Sequence, residues 1–72
     1  MECKEQLLKL GSSIRARRGA LQVSQEDFAH KISLDRSYIG QIERGERNLS
    51  FCNLSKIAHG LGLSLSQLVE DI

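Results

Sequence analysis

Residues 24–43, SQEDFAHKISLDRSYIGQIE, contain two helical patterns separated by a short turn. Ser24 is a favourable N-cap, and Asp27 three residues later can complete a capping box, so a helix is predicted to begin here. We expect this helix to end near Ile32, because Ser-Leu-Asp follows. Asp35 is the next N-cap and begins a second helix. The arrangement is typical of a helix-turn-helix.

The second helix of this pair is predicted from Arg36 to about Arg44, with Ile39 and Ile42 buried on its inner side. Its outer side carries hydrogen-bonding groups and almost no aliphatic side chain: Arg36, Ser37, Tyr38, Gly40, Gln41 and Arg44. Arginine can bind guanine with two hydrogen bonds, glutamine can bind adenine, and serine can bind either base. We therefore predict that the outer side faces a DNA major groove, with Gly40 allowing close approach.

Three further helices are predicted outside this pair. The first covers residues 4–18 and ends at Gly19, and a glycine also follows the third and the fourth helix. Ser50 caps the fourth helix, and Ser64 with Gln67 forms a capping box for a short fifth helix. No segment shows the strict alternation of a β-strand. The chain is thus predicted to be all-α, a compact five-helix bundle whose core contains Leu10, Ile14, Phe28, Ala29, Ile32, Leu34, Ile39, Ile42, Leu54, Ile57, Ala58, Leu61, Leu65 and Leu68.

Composition narrows the class of protein. The 72 residues suffice for one domain, residues 1–72, and this length disfavours an enzyme with its own substrate pocket. No apolar stretch could cross a membrane, and we expect no secretory signal. Two widely separated cysteines, Cys3 and Cys52, predict neither a disulfide framework nor a zinc site. We therefore expect a cytoplasmic protein without cofactor or metal.

The net charge is only +1, but the charges are unevenly distributed. Residues 6–25 contain four basic residues and no acidic one, whereas residues 57–72 contain two acidic residues and no basic one. This asymmetry indicates either a basic face for nucleic acid or arginines that stabilise the C-terminal end of a helix. Charge alone does not separate these two interpretations.

Residues 23–29 and 34–50, VSQEDFA and LDRSYIGQIERGERNLS, resemble the phage repressor and Cro type of helix-turn-helix domain, the lambda-repressor-like fold. Residues 54–68 are similar to its fourth and fifth helices. Within the family, LDRSYI and ERNLS most resemble the controller proteins of bacterial restriction–modification systems. The resemblance implies an autoregulatory, nucleoid-associated transcriptional regulator. It would bind palindromic double-stranded DNA as a homodimer, with RNA polymerase as a further partner and no small-molecule ligand.

The resemblance also implies roles for individual residues. The base-reading residues would be Arg36, Ser37 and Gln41. We expect contacts to the DNA backbone from Ser24, Gln25, Tyr38, Arg44, Arg47, Asn48 and Arg17. A glutamine amide beside free helix N–H groups suits a phosphate, whereas Tyr38 could instead pack its ring on the edge of the core. Arg18 and Glu43 match a pair that links the first helix to the third, and Ser33 stands where the family commonly has a glycine with positive φ.

A homodimer is expected because one module of this size makes few base contacts. Its interface is predicted to use apolar residues that one short helix cannot bury: Phe51, Leu61, Leu63, Leu65, Val69 and Ile72. Two other functions stay open, a prophage-type repressor and an antitoxin-like protein-interaction module. A catalytic domain is disfavoured, because the sequence offers no nucleophile–base pair and no metal-ligand set.

Overall fold

The computed structural model describes residues 3–70 and 72, and these residues form five helices and no strand. The helices are α1 (Lys4–Ala20), α2 (Gln25–Lys31), α3 (Arg36–Glu43), α4 (Phe51–Gly60) and α5 (Leu65–Leu68). The predicted all-α architecture is confirmed. Helix α3 packs against both α1 and α2, and α5 packs against α1 and α4. The helix-turn-helix pair α2–α3 is thus supported from behind by α1.

Helices α1 to α4 all end in the same backbone turn. The second residue after each helix has a positive φ: Gln22 (58°), Ser33 (59°), Gly45 (75°) and Gly62 (74°). The next N–H then donates five residues back, as from Leu34 to the Ala29 carbonyl at 2.9 Å, which defines a Schellman motif. The positive φ expected at Ser33 is confirmed. The predicted end of α1 at Gly19 is wrong, because the helix continues to a turn that Gln22 makes without glycine.

Serine hydroxyls begin three of the helices. Each accepts a backbone N–H three residues later at 3.0–3.1 Å: Ser24, Ser50 and Ser64. The capping box predicted at Ser64 is complete, since Gln67 Oε1 accepts the Ser64 N–H at 2.8 Å. Asp35 begins α3 differently, because its carboxylate accepts the Ser37 hydroxyl at 3.4 Å and caps no backbone N–H.

The core lies between all five helices. It consists of Leu10, Ile14, Phe28, Ala29, Ile32, Ile39, Ile42, Ile57, Ala58, Leu61 and Leu68. All of these residues were predicted. The other three predicted core residues are only half-buried: Leu34 and Leu54, which pack against the cluster, and Leu65. They lie in the turn between α2 and α3, in α4, and at the start of α5, where solvent reaches one side.

Gly11 allows α1 to approach the end of α3 closely. A Cβ at this position would lie 2.7 Å from the carbonyl oxygen of Glu43 and would also collide with that of Ile42. Because both obstacles are backbone atoms, no side-chain rotation could relieve the clash. Gly11 therefore sets the spacing between α1 and the helix-turn-helix. The available sequence signal was a glycine inside an apolar helical pattern.

Candidate nucleic-acid interface

The outer side of α3 is accessible, as predicted. Its inner residues Ile39 and Ile42 are in the core, whereas Arg36 and Ser37 in the first turn are exposed. Gln41 follows Ser37 by one turn and is half-buried. The three predicted base-reading residues are thus accessible on a single helix, where Ser37 and Gln41 share a face and Arg36 lies about 140° from Gln41 around the axis.

Gly40 lies on this helix but is buried. A Cβ there would lie 3.6 Å from Gln25 Oε1 and 3.2 Å from Arg44 Nη1. Gly40 is therefore covered by the Gln25 and Arg44 side chains, and its predicted position on the open, DNA-facing side of α3 is wrong. The sequence pattern assigns Gly40 to a face of the helix, but it does not indicate that side chains from α2 and from the end of α3 cover that position.

Glu43 is buried at the end of α3, where 2% of its side chain is exposed. Arg18 of α1 binds both carboxylate oxygens, through Nε at 2.7 Å and Nη2 at 3.0 Å. Gln25 at the start of α2 donates its amide N–H to Oε1 at 2.9 Å, and Arg18 Nη1 donates to the Val23 carbonyl at 2.7 Å. The predicted Arg18–Glu43 pair is confirmed. The resulting network joins α1, α2 and α3, and we call Arg18, Gln25 and Glu43 the buried triad.

The hydrogen-bond partners of Glu43 keep its carboxyl group ionised. Burial raises the pKa of this carboxyl, but hydrogen bonds from Arg18 and Gln25, with the charges of Arg18 and Arg15, outweigh burial and leave the pKa below its ordinary value. The same hydrogen bond raises the pKa of Arg18. Arg18 and Glu43 are therefore both charged at neutral pH, and the buried triad fixes α3 relative to α1 and α2.

The hydrogen bond from Gln25 to Glu43 was not predicted from the sequence. Its amide nitrogen carries two N–H groups, of which one binds Glu43. The other stays available for a phosphate beside the N-terminus of α2. The triad thus orients the side chain for which the sequence predicted a phosphate contact.

A second network lies on the outer side of α3 and the loop that follows. Arg47 Nη1 donates to Gln41 Oε1 at 3.2 Å, and the Arg47 guanidinium carbon lies 5.0 Å from the centre of the Tyr38 ring. The Tyr38 hydroxyl accepts an N–H from Asn53 of α4 at 3.0 Å. Tyr38 is half-buried against the core, which is the alternative that the sequence left open. We call Gln41, Arg47, Tyr38 and Asn53 the outer network.

The other residues predicted to contact the DNA backbone surround this side. Arg44 is exposed, and the hydrogen bond from its Nε to Glu46 at 3.0 Å raises its pKa. Arg17 is half-buried, with Nε 3.3 Å from the Ser13 hydroxyl. Ser24 and Asn48 are exposed, although the Ser24 hydroxyl already caps α2.

The residues predicted for the dimer interface differ in accessibility. Phe51 is 72% exposed at the start of α4, and Val69 and Ile72 are exposed near the C-terminus. Leu63 and Leu65 are half-buried. Leu61 was expected in both the core and the interface, but it is only 8% exposed and belongs to the core. Its position at the end of α4 turns it inward against the other helices.

The described residues lack two other kinds of site. None of the helices there is long and apolar enough to cross a membrane. The described part of the chain contains no group of three or more His, Cys, Asp or Glu side chains that could hold a metal ion. Cys3 and Cys52 are both exposed free thiols.

Comparison with known proteins places the chain in a family. A helix-turn-helix family profile matches residues 14–68. Control protein C.MunI of Mycoplasma sp is 46% identical over 66 residues, which cover 90% of this chain and 89% of that protein. The crystal structure of the restriction–modification controller protein C.AhdI from Aeromonas hydrophila matches with a TM-score of 0.83 and 44% identity, over 86% of this chain and 94% of that chain.

A third match is the structure of the restriction–modification controller protein C.Esp1396I, solved as a tetramer in complex with its natural 35-base-pair operator. Its TM-score is 0.77 and its identity 36%, over 92% of this chain and 96% of that chain. These matches cover the helix-turn-helix pair together with its three supporting helices. The chain therefore belongs to the helix-turn-helix family and, within it, to the restriction–modification controller proteins.

Proposed function

We propose that this chain is a non-enzymatic, sequence-specific transcriptional regulator that binds palindromic operator DNA as a homodimer in the cytoplasm. It would control restriction–modification genes, including its own promoter, by blocking or recruiting RNA polymerase and without a small-molecule ligand. The observation that carries the proposal is the accessibility of Arg36, Ser37 and Gln41 on a helix that the buried triad holds in a fixed orientation. The operator complex of C.Esp1396I supports it.

The geometry suggests how DNA would be read. A helix fits the width of the major groove, and the residues of its first turn approach the base edges. Arg36 and Ser37 occupy that turn, and the N-terminus of α2 with Gln25 and Ser24 would bind phosphate on the neighbouring backbone. Further backbone contacts would come from Arg17, Tyr38, Arg44, Arg47 and Asn48. These contacts would position α3 without reading sequence.

DNA titrations at increasing salt test this function. Binding through phosphates should weaken steeply, because log K falls by about 0.9 per neutralised phosphate for each tenfold rise in salt. Arg36→Ala should cost about 1–3 kcal/mol at one base-pair position in each half-site and leave the other positions unchanged. Lys56→Ala, at an exposed position on α4, is the matched control and should bind like the wild type. A protein-interaction module would bind DNA weakly and without base preference.

The dimer is tested separately. Phe51 is the most exposed large apolar side chain of the described residues, and a stable partner surface would cover it. Phe51→Ser should therefore weaken self-association, measured by sedimentation equilibrium. Leu21→Ser is the control, because Leu21 is 49% exposed at the end of α1, outside the predicted interface. Equal effects of the two substitutions would remove Phe51 from the interface.

A further inference from the structure

We propose that Gly40 is a positioning residue for Arg44, and that its missing side chain lets Arg44 hold its guanidinium ready for a DNA phosphate. The proposal rests on the proposed function and adds to it a residue that acts through another side chain. Gly40 leaves a space on α3, and the Arg44 guanidinium occupies this space beside Gln25.

Neither the backbone nor the core requires a glycine at position 40. Gly40 lies inside α3 without the positive φ of the glycines that follow helices, and a glycine inside a helix is less stable than an alanine. A Cβ at Gly11 would collide with backbone atoms of α3. Among the described residues, the neighbours that a Cβ at Gly40 would meet within 4 Å belong to the Arg44 and Gln25 side chains. The position of these two side chains therefore remains as the reason for the glycine.

Arg44 fills the space that Gly40 leaves. Arg44 follows Gly40 by one turn, and its backbone N–H donates to the Gly40 carbonyl at 3.1 Å. Side chains on a helix point back toward its N-terminus, so residue 44 covers the surface above residue 40. Arg44 Nη1 lies 3.2 Å from the position of a Cβ at residue 40. This is shorter than an ordinary non-bonded contact of about 3.5–4.0 Å, so an alanine there would push the guanidinium outward.

The Arg44 guanidinium is held in place and still accessible. Its Nε donates to Glu46 Oε2 at 3.0 Å, which uses one of the five N–H donors. The side chain is 59% exposed, so a phosphate can reach the Nη groups. On the other side of Gly40, the bond to Glu43 fixes Gln25, and Gln25 Oε1 lies 3.6 Å from the same Cβ position. The guanidinium therefore lies beside a second side chain that is proposed to contact the DNA backbone.

Gly40→Ala should have opposite effects on stability and on DNA binding. The melting temperature should rise by about 4 °C, because alanine favours a helix more than glycine does. Binding to an operator selected from random DNA should weaken about tenfold, because both copies in the dimer lose the alignment of one charged contact. Thermal unfolding and fluorescence anisotropy measure the two effects. Loss of packing alone would lower stability and binding together.

A double-mutant cycle shows whether Gly40 acts through Arg44. Arg44→Ala should weaken binding about a hundredfold and lower the salt slope by about one for each copy, as expected for a lost phosphate contact. In the Arg44→Ala background, Gly40→Ala should not weaken binding further, although it should still raise the melting temperature. A methyl group that touched the DNA directly would weaken binding in this background as well.

Gly19→Ala is the matched control. Gly19 is also a helical glycine, in the last turn of α1, and its Cβ would meet nothing within 4 Å. This substitution should leave operator binding unchanged with and without Arg44. It therefore separates the effect of the space above residue 40 from a general effect of replacing a helical glycine.

Four results would overturn the proposal. Gly40→Ala could bind the operator like the wild type, it could weaken binding by the same factor without Arg44, or it could lower the melting temperature. Arg44→Ala could also leave affinity and salt slope unchanged. Failure of the proposed function looks different, because the wild type would then select no sequence at low salt. That result would remove both proposals together.

Discussion

Replacing Arg18 with alanine should substantially lower the free energy of unfolding. The substitution leaves the Glu43 carboxylate, 2% exposed, with Gln25 as its remaining partner in the buried triad. It also removes the donor of the Val23 carbonyl. The expected result is a large loss of stability and a recognition helix that is no longer held at its angle.

The magnitude follows from burial. Removing one partner of a buried ion pair costs about 3–5 kcal/mol, because the other charge is left without compensation. The Arg18 side chain is 14% exposed, so water can reach part of the space, and we expect a loss near the lower end, about 3 kcal/mol. A domain of 72 residues is stable by about 4–11 kcal/mol in total. The variant should therefore keep about 1–8 kcal/mol of stability, which is a marginally folded protein at the lower end of this range.

Urea unfolding followed by circular dichroism measures this loss. Lys4→Ala is the control, because Lys4 is exposed at the start of the same helix, and it should change stability by about 0.5 kcal/mol or less. Arg18→Met combined with Glu43→Leu removes both charges, and it should recover much of the loss. A loss below about 1 kcal/mol for Arg18→Ala, or a double variant no better than the single one, would refute the reasoning.

Three further predictions follow from the folded state. Folding lowers the pKa of Glu43. The contribution of Glu43 to stability should therefore be complete above its unfolded pKa of about 4.3, and it should be lost as the pH falls through the lower folded value. Urea unfolding between pH 6 and 3 should show this loss, and Glu43→Gln should abolish it. Ser33→Gly should raise the melting temperature by relieving the positive φ of 59°, a gain of about 1 kcal/mol, and a lower value would contradict the turn's strain. Gly11→Ala should cost about 1–3 kcal/mol in urea unfolding, whereas Gly19→Ala, whose Cβ would meet nothing within 4 Å, should be neutral or stabilising.

Local chemistry explains why most helix boundaries were predictable. Serine caps act on N–H groups three residues away, and glycines at 45 and 62 adopt the left-handed turn that ends a helix. Both signals lie within one turn of the boundary that they mark. The end of α1 was missed because Gln22 makes the same turn without being glycine, and no local signal distinguishes it.

The sequence predicted which side chains of α3 lie outside the core, but it did not predict which residues of other elements contact them. The period of α3 places Arg36, Ser37 and Gln41 outside, since Ile39 and Ile42 must face the core. The partners of those side chains come from other elements and depend on packing. Asn53 reaches Tyr38 from α4, 15 residues along the chain, and Gln25 reaches Glu43 across 18 residues. Neither contact has a spacing that a sequence pattern would indicate.

Selection of bound sequences from random double-stranded DNA tests the central claim most directly. The claim is that two copies of α3 read an operator together, with Arg36 at the base edges. The wild type should select a palindrome whose half-sites are centred about one helical turn, or 10 base pairs, apart. Arg36→Ala should lose preference at one symmetric pair of positions. A selected set without palindromic symmetry, or an unchanged palindrome for Arg36→Ala, would contradict the account.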